Sequence, residues 1–205
     1  MSPDKIPINW FDLALVTVLV LGIWRGRKHG MSEEALPLLQ WLLILFGASL
    51  AYQPVGRFLM QTTPFGLLFC YIVGYLTVML LIFALFSMVK RSLGGKLLGS
   101  DIFGRAEYYL GMGAGLARFV CILLVGLALL NARLYSAAEV RAMQRYQDEY
   151  YGSNFFPTLQ TIQDAVFVKS LTGTQIKKYC SELLIIPTPP GGGQVTRAKK
   201  DLPGV

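Results

Sequence analysis

Asp12 and Arg118 are the two ionisable side chains that fall inside otherwise uncharged apolar runs, and they are the residues of this chain best placed to do chemistry. In hydrocarbon such a group must find a partner, border a polar cavity or mark a path for ions or substrate. The apolar run from Phe119 to Leu130 is only about 18 Å of helix, short of the roughly 30 Å of a hydrocarbon core, so Arg118 must enter the membrane with it. Asp12 lies about one turn inside the opposite face, as the only carboxylate within a predicted span. Two arrangements accommodate them: they pair across the bundle or through a polar cavity, or each snorkels to its own headgroup layer.

Other chemistry lacks parts. His29, the one histidine, stands in a basic turn beside Arg27 and Lys28, where a solvated loop residue is the simpler reading than a general base. A second histidine, a ligand cluster and a GxSxG elbow are all missing, so neither a metal nor a cofactor is expected, and no catalytic residue. Gly111-Met112-Gly113-Ala114-Gly115 imitates a phosphate loop without the Lys-Ser/Thr that would follow it, and it opens an apolar segment, so packing explains it better. Cys70, Cys121 and Cys180 are scattered, and read as small apolar residues.

The elements that must position these groups are four apolar stretches, at about 8–24, 35–52, 65–89 and 108–131, separated by short links. Each is close to the roughly 20 residues of a membrane-crossing helix. The stretch from Leu76 to Val89 is apolar on every side apart from Thr77 and Ser87, which excludes the alternation of a barrel strand. With 205 residues, 54% hydrophobic, 15% charged and a mean hydropathy of +0.49, the chain departs from soluble globular composition. The expected fold is all-α: a four-helix transmembrane domain over 1–135, an amphipathic helical tail over 136–186 and a disordered end over 187–205.

The +7 formal charge would suggest nucleic acid in a soluble protein, but the bases gather beside the spans, where they meet lipid headgroups. The expected partners are therefore the lipid bilayer, a second copy or other membrane proteins, and no nucleic acid. A cleavable export signal carries its charge before the apolar run, whereas Arg25, Arg27 and Lys28 follow the first one, so that span is expected to be retained. The first link carries those three bases and the third carries Lys90, Arg91, Lys96 and Arg105, against Arg57 alone in the second. Both termini are thus expected outside the cytoplasm, although Arg133, Arg141 and Arg145 pull the other way.

Helices associate in lipid where small residues let backbones approach, and four-residue spacing puts such residues on one face. Gly22 and Gly26 in the first span, Gly47 in the second, Gly66 and Gly74 in the third, and Gly111 and Gly115 in the fourth are the expected packing positions. Gly30, like Gly94, Gly95 and Gly99, reads as a turn residue. In the tail, Ser136 and Glu139 have capping-box spacing and predict a helix through about Tyr150. Gly152, Ser153, Asn154 and Pro157 predict a turn. Two short amphipathic helices follow, one around Leu159, Ile162 and Val166 and one around Ile176, Leu183 and Leu184, with a break at Thr172-Gly173-Thr174. Packing on the bundle or membrane is preferred to a dedicated partner helix.

Two stretches carry a family resemblance. Asn9-Trp10-Phe11-Asp12 leading to Gly22, Gly26 and Gly30, and the segment from Glu107 through Leu110-Gly111 and Gly115 to Arg118, resemble the colicin V production protein (CvpA) family over about residues 8–135. Glu107 stands where aspartate is usual, and Phe119 where a glycine would follow the arginine. The resemblance implies a small protein of the bacterial inner membrane with four spans, linked to toxin production or export and to envelope homeostasis. Some relatives carry a periplasmic protease domain after the helices, which agrees with an outward tail; this tail shows no nucleophile motif. The expected function is a non-enzymatic membrane factor that acts through helix packing, with a small transporter or channel lined by Asp12, Arg118 and Asn131 as the alternative.

Overall fold

The computed structural model describes residues 9–93, 104–151 and 158–189. Among these the fold is all-helical, with one isolated bridge, Arg133 to Thr188, and no strand. Three helices are long and apolar enough to cross a membrane: α1 (Trp10–Thr62), α2 (Leu67–Leu93) and α3 (Glu107–Asn131). At 27 and 25 residues, α2 and α3 would measure about 40 and 37 Å.

α1 departs from expectation. Its 53 residues run through both of the first two predicted stretches, and the link between them is helical apart from Gly30. Gly30 has φ 73° and ψ 176°, a region essentially reserved for glycine, and this one residue breaks the helix into arms over 10–29 and 31–62. The arms double back. Arg25 Nε lies 3.5 Å from Glu34 Oε1, whereas nine residues of straight helix would separate their backbones by about 13.5 Å.

α3 lies along both arms. Gly22 meets Gly115, Gly26 meets Gly111, and Gly30 meets Glu107, so the numbers fall on one helix as they rise on the other and the first arm is antiparallel to α3. The second arm runs with α3, from Glu34 beside Arg118 to Ser49 and Tyr52 beside the segment that also touches Asn131. α2 packs antiparallel on the second arm, with Gly47 against Ile82, Gly56 against Tyr71, and Trp41 edge-on to Phe83 at 5.5 Å.

The core sits between these helices, built on Ile44, Ala48, Tyr52, Tyr75 and Ala128. Leu50, Leu80, Leu81 and Met88 point outward instead, 65–79% exposed. So much outward apolar surface suits a lipid surround, since soluble monomers rarely expose contiguous apolar patches beyond a few hundred Å².

Beyond α3 come α4 (Ala137–Tyr151), α5 (Leu159–Phe167) and α6 (Leu171–Tyr179). Ser136 and Glu139 close the expected capping box: Ser136 N–H donates to Glu139 Oε2 at 3.1 Å and Glu139 N–H to Ser136 Oγ at 3.2 Å. The expected turn at Gly152, Ser153, Asn154 and Pro157 lies outside the described residues, as do Gly94, Gly95 and Gly99. The break between the next two helices falls at 168–170, and Thr172-Gly173-Thr174 forms the first turn of α6. Ser170 explains the shift, because its hydroxyl caps α6 by accepting from Gly173 N–H at 3.1 Å. The chain also stays engaged past Pro187: Thr188 is buried, its N–H donates to Ala132 O and its carbonyl accepts from Leu134 N–H. The predicted unstructured end therefore does not begin there; residues 190–205 lie outside the described set.

Candidate functional site

Two polar clusters sit in the bundle, at opposite ends. The first forms at the Gly30 bend. Glu34, in the first turns of the second arm, is 2% exposed, and its carboxylate accepts from Arg118 Nη1 at 2.8 Å and faces Arg25 Nε at 3.5 Å. Just beyond it Glu107, buried at the start of α3, accepts from Ser32 N–H at 2.6 Å through Oε1. Ser32 is the second residue past the bend, where a helix start leaves amides without intrahelical acceptors. One carboxylate thus neutralises a guanidinium within the bundle and another ties down the start of the second arm.

The second cluster forms around Asp12. Asn9 caps α1, its Oδ1 accepting from Trp10 N–H at 2.7 Å, and Asp12 Oδ2 returns the bond by accepting from Asn9 N–H at 3.0 Å. The other carboxylate oxygen reaches across 158 residues of sequence to accept from Ser170 Oγ–H at 2.7 Å, and also accepts from Thr172 N–H at 3.2 Å and from the Thr172 hydroxyl. Around it, Asn9 Nδ2 donates to Ala165 O, Gln163 Nε2 to Leu130 O and Arg133 O, Ser49 Oγ to Glu182 O, and Asn131 Nδ2 to Ile185 O. The segment 158–189 is thereby fastened over the end of the bundle where α1 begins and α3 finishes.

The expected Asp12–Arg118 pair does not form. Gly22 sits level with Gly115 and Phe119, so Asp12, ten residues earlier on an antiparallel arm, lies about 15 Å along the bundle axis from that level. Each charge is taken by a nearer group: Arg118 by Glu34, and Asp12 by Ser170 and Thr172. Asn131 stands with Asp12 at the capped end, so a polar path joining Asp12, Arg118 and Asn131 is interrupted by the apolar levels between. Glu34 was missed because it stands just before an apolar run, among link charges. Asp12's role carried a signal, since Asn9 and Asp12 have capping-box spacing.

Of the expected packing glycines, four form one seam. A Cβ on Gly26 would lie 2.1 Å from Gly111 O, and one on Gly115 would lie 2.3 Å from Gly22 O, so the first arm and α3 meet backbone to backbone. Gly74 meets Gly56 N and Tyr52 O at 3.1 Å, and Gly47 meets only the tip of Ile82. Gly66 is a correction: it is exposed and precedes α2, where its carbonyl accepts from Cys70 N–H at 3.1 Å. Gly56, unforeseen, fits beneath the Tyr71 ring. His29 Nδ1–H donates to Arg25 O at 3.0 Å in the last turn of the first arm. No group of three His, Cys, Asp or Glu gathers at metal-binding distance among the described residues.

Set against known proteins, residues 11–164 match the family model described as Colicin V production protein. No curated protein and no solved structure matches.

Proposed function

The chain belongs to the colicin V production protein family, and from that membership we propose that it is a non-enzymatic protein of the bacterial inner membrane, supporting toxin production or export, or envelope homeostasis, by packing with itself or with partner membrane proteins. The observation that carries this reading is how the interior polar groups are used. Glu34, Arg118 and Asp12 are all engaged in holding helices and the end segment together, and Asp12 and Arg118 occupy separate levels. What the bundle offers to the outside is apolar helix surface, on which lipid or another helix can lie.

In the bilayer the two arms of α1 cross separately, so that with α2 and α3 the chain makes four crossings. The bend end, rich in Arg25, Arg27, Lys28, Lys90 and Arg91, faces the cytoplasm, and the end covered by 158–189 faces outward. Two measurements test this. Single cysteines placed in 158–189 should react with a membrane-impermeant thiol reagent in intact cells, and failure to react refutes the orientation. Purification in detergent-free native membrane particles should retain specific membrane-protein partners or a second copy; solute uptake in proteoliposomes that Asp12→Asn abolishes would replace this reading with a transporter.

A further inference from the structure

At the bend end, the first arm and the start of α3 leave a cleft of about 640 Å³ between them, lined by Trp24, Arg27, Lys28, Tyr108, Tyr109 and Met112. Among the described residues its lining holds two cations, three aromatic rings and no carboxylate. Two acids at this end are engaged elsewhere, Glu34 with Arg118 and Arg25, and Glu107 with Ser32 N–H. Arg25 is thereby used, whereas neither Arg27 nor Lys28 comes within ion-pair distance of an acid among the described residues.

The rings are strongly exposed, from 60% upward, where the helices end. Trp and Tyr at such a level sit among lipid headgroups, with an apolar body facing the chains and a polar edge facing water. One turn deeper on the first arm, Val20 and Leu21 continue the exposed surface as a purely apolar strip.

We propose that this cleft binds the phosphate of an anionic phospholipid, with Arg27 and Lys28 as its ligands, the rings flanking the glycerol region and an acyl chain lying along Val20 and Leu21. Arginine supplies a planar fork that matches phosphate oxygens, and lysine a compact charge that follows them. Free inorganic phosphate shares that headgroup chemistry, but the apolar strip leading away from the cations suits a lipid and not a soluble anion. The inference rests on the bundle lying in a bilayer and is independent of which end faces the cytoplasm and of any protein partner.

Native mass spectrometry of the full chain, offered phosphatidylglycerol and phosphatidylcholine of matched acyl chains, tests it. Preferential retention of phosphatidylglycerol is expected. Arg27→Gln with Lys28→Gln should lower that retention about twenty-five-fold, at roughly fivefold per base near a membrane surface. Lys90→Gln with Arg91→Gln removes the same charge at the same end of the bundle, outside the cleft, and should lower it less than threefold. The exchange Arg27→Lys with Lys28→Arg should keep it, which separates loss of ligands from loss of fold. Equal retention of the two lipids, equal effects of the two double substitutions, or displacement by millimolar inorganic phosphate overturns the proposal.

Discussion

Replacing Glu34 by Gln leaves the Arg118 guanidinium inside the bundle with no carboxylate. Breaking one side of a buried ion pair typically costs about 3–5 kcal/mol. Two features lower the figure here: the Gln carbonyl still accepts one hydrogen bond, and the Arg118 side chain is 18% exposed against 3% for Glu34. About 2–3 kcal/mol is expected for Glu34→Gln. Arg118→Gln costs less, about 1–2 kcal/mol, because Arg25 remains 3.5 Å from the carboxylate, though with a half-exposed side chain that screens the contact. The double substitution removes both charges together and should cost no more than Glu34→Gln alone, which makes the coupling at least the cost of Arg118→Gln, about 1–2 kcal/mol, or roughly five- to thirtyfold in the unfolding constant. By contrast, Asp12→Asn and Arg118→Gln should add to within about 0.5 kcal/mol, as distant sites do. Equilibrium unfolding in mixed micelles, followed by far-ultraviolet circular dichroism as the denaturing detergent is raised, measures all five variants. Additivity of Glu34 with Arg118, or a coupling above about 1 kcal/mol between Asp12 and Arg118, refutes the assignment.

The same titration separates the glycines. Gly26→Ala should cost about 1–3 kcal/mol, because its methyl would stand 2.1 Å from a backbone oxygen on α3 and the helices must part. Gly113→Ala and Gly126→Ala, with nothing within 4 Å of the added atom, should be neutral or stabilising by up to about 1 kcal/mol of helix propensity; an equal loss at all three positions would contradict the seam. Gly30→Ala combines a disallowed φ with a contact of 2.8 Å to Glu107, so the bend should open and the distance between spin labels on Val20 and Leu43 should lengthen. Asp12→Ala should release 158–189 from the end of the bundle and speed tryptic cleavage after Lys169 about tenfold or more, with Asp12→Asn intermediate because it keeps one acceptor oxygen; unchanged cleavage would mean that the Ser170 and Thr172 bonds do not hold the segment.

What the chain's residues disclosed on their own follows from which interactions are local. The long apolar helices were legible because hydrocarbon burial is written continuously along each segment. The capping box at Ser136 and Glu139 was legible because it closes within one turn. Gly30 was legible as a turn, though not as the whole of it: the residues on either side stay helical, since a single left-handed glycine suffices to fold an arm back. The need of Arg118 for a partner was legible too, and its partner was not. Counting depth along separate spans treats each helix as independent, and then Asp12 is the only acid available.

The choice among acids depends on register, and register is set by the glycine seam. Gly22 and Gly26 can meet Gly115 and Gly111 backbone to backbone only if the first arm runs antiparallel at that level, which carries Asp12 toward the finish of α3 and the bend toward its start. Once the bend lies there, the residues just past it are the ones that can reach Arg118. Glu34 then ceases to be a link charge and becomes the counter-ion, while Asp12, stranded at the far end, is left to the capping box and to the two hydroxyls of the α5–α6 junction. The four-residue spacing of 22, 26 and 30 against 107, 111 and 115 contained this register. Reading it requires matching one helix against another, because the steric fit that selects it exists only between segments and appears in neither segment alone.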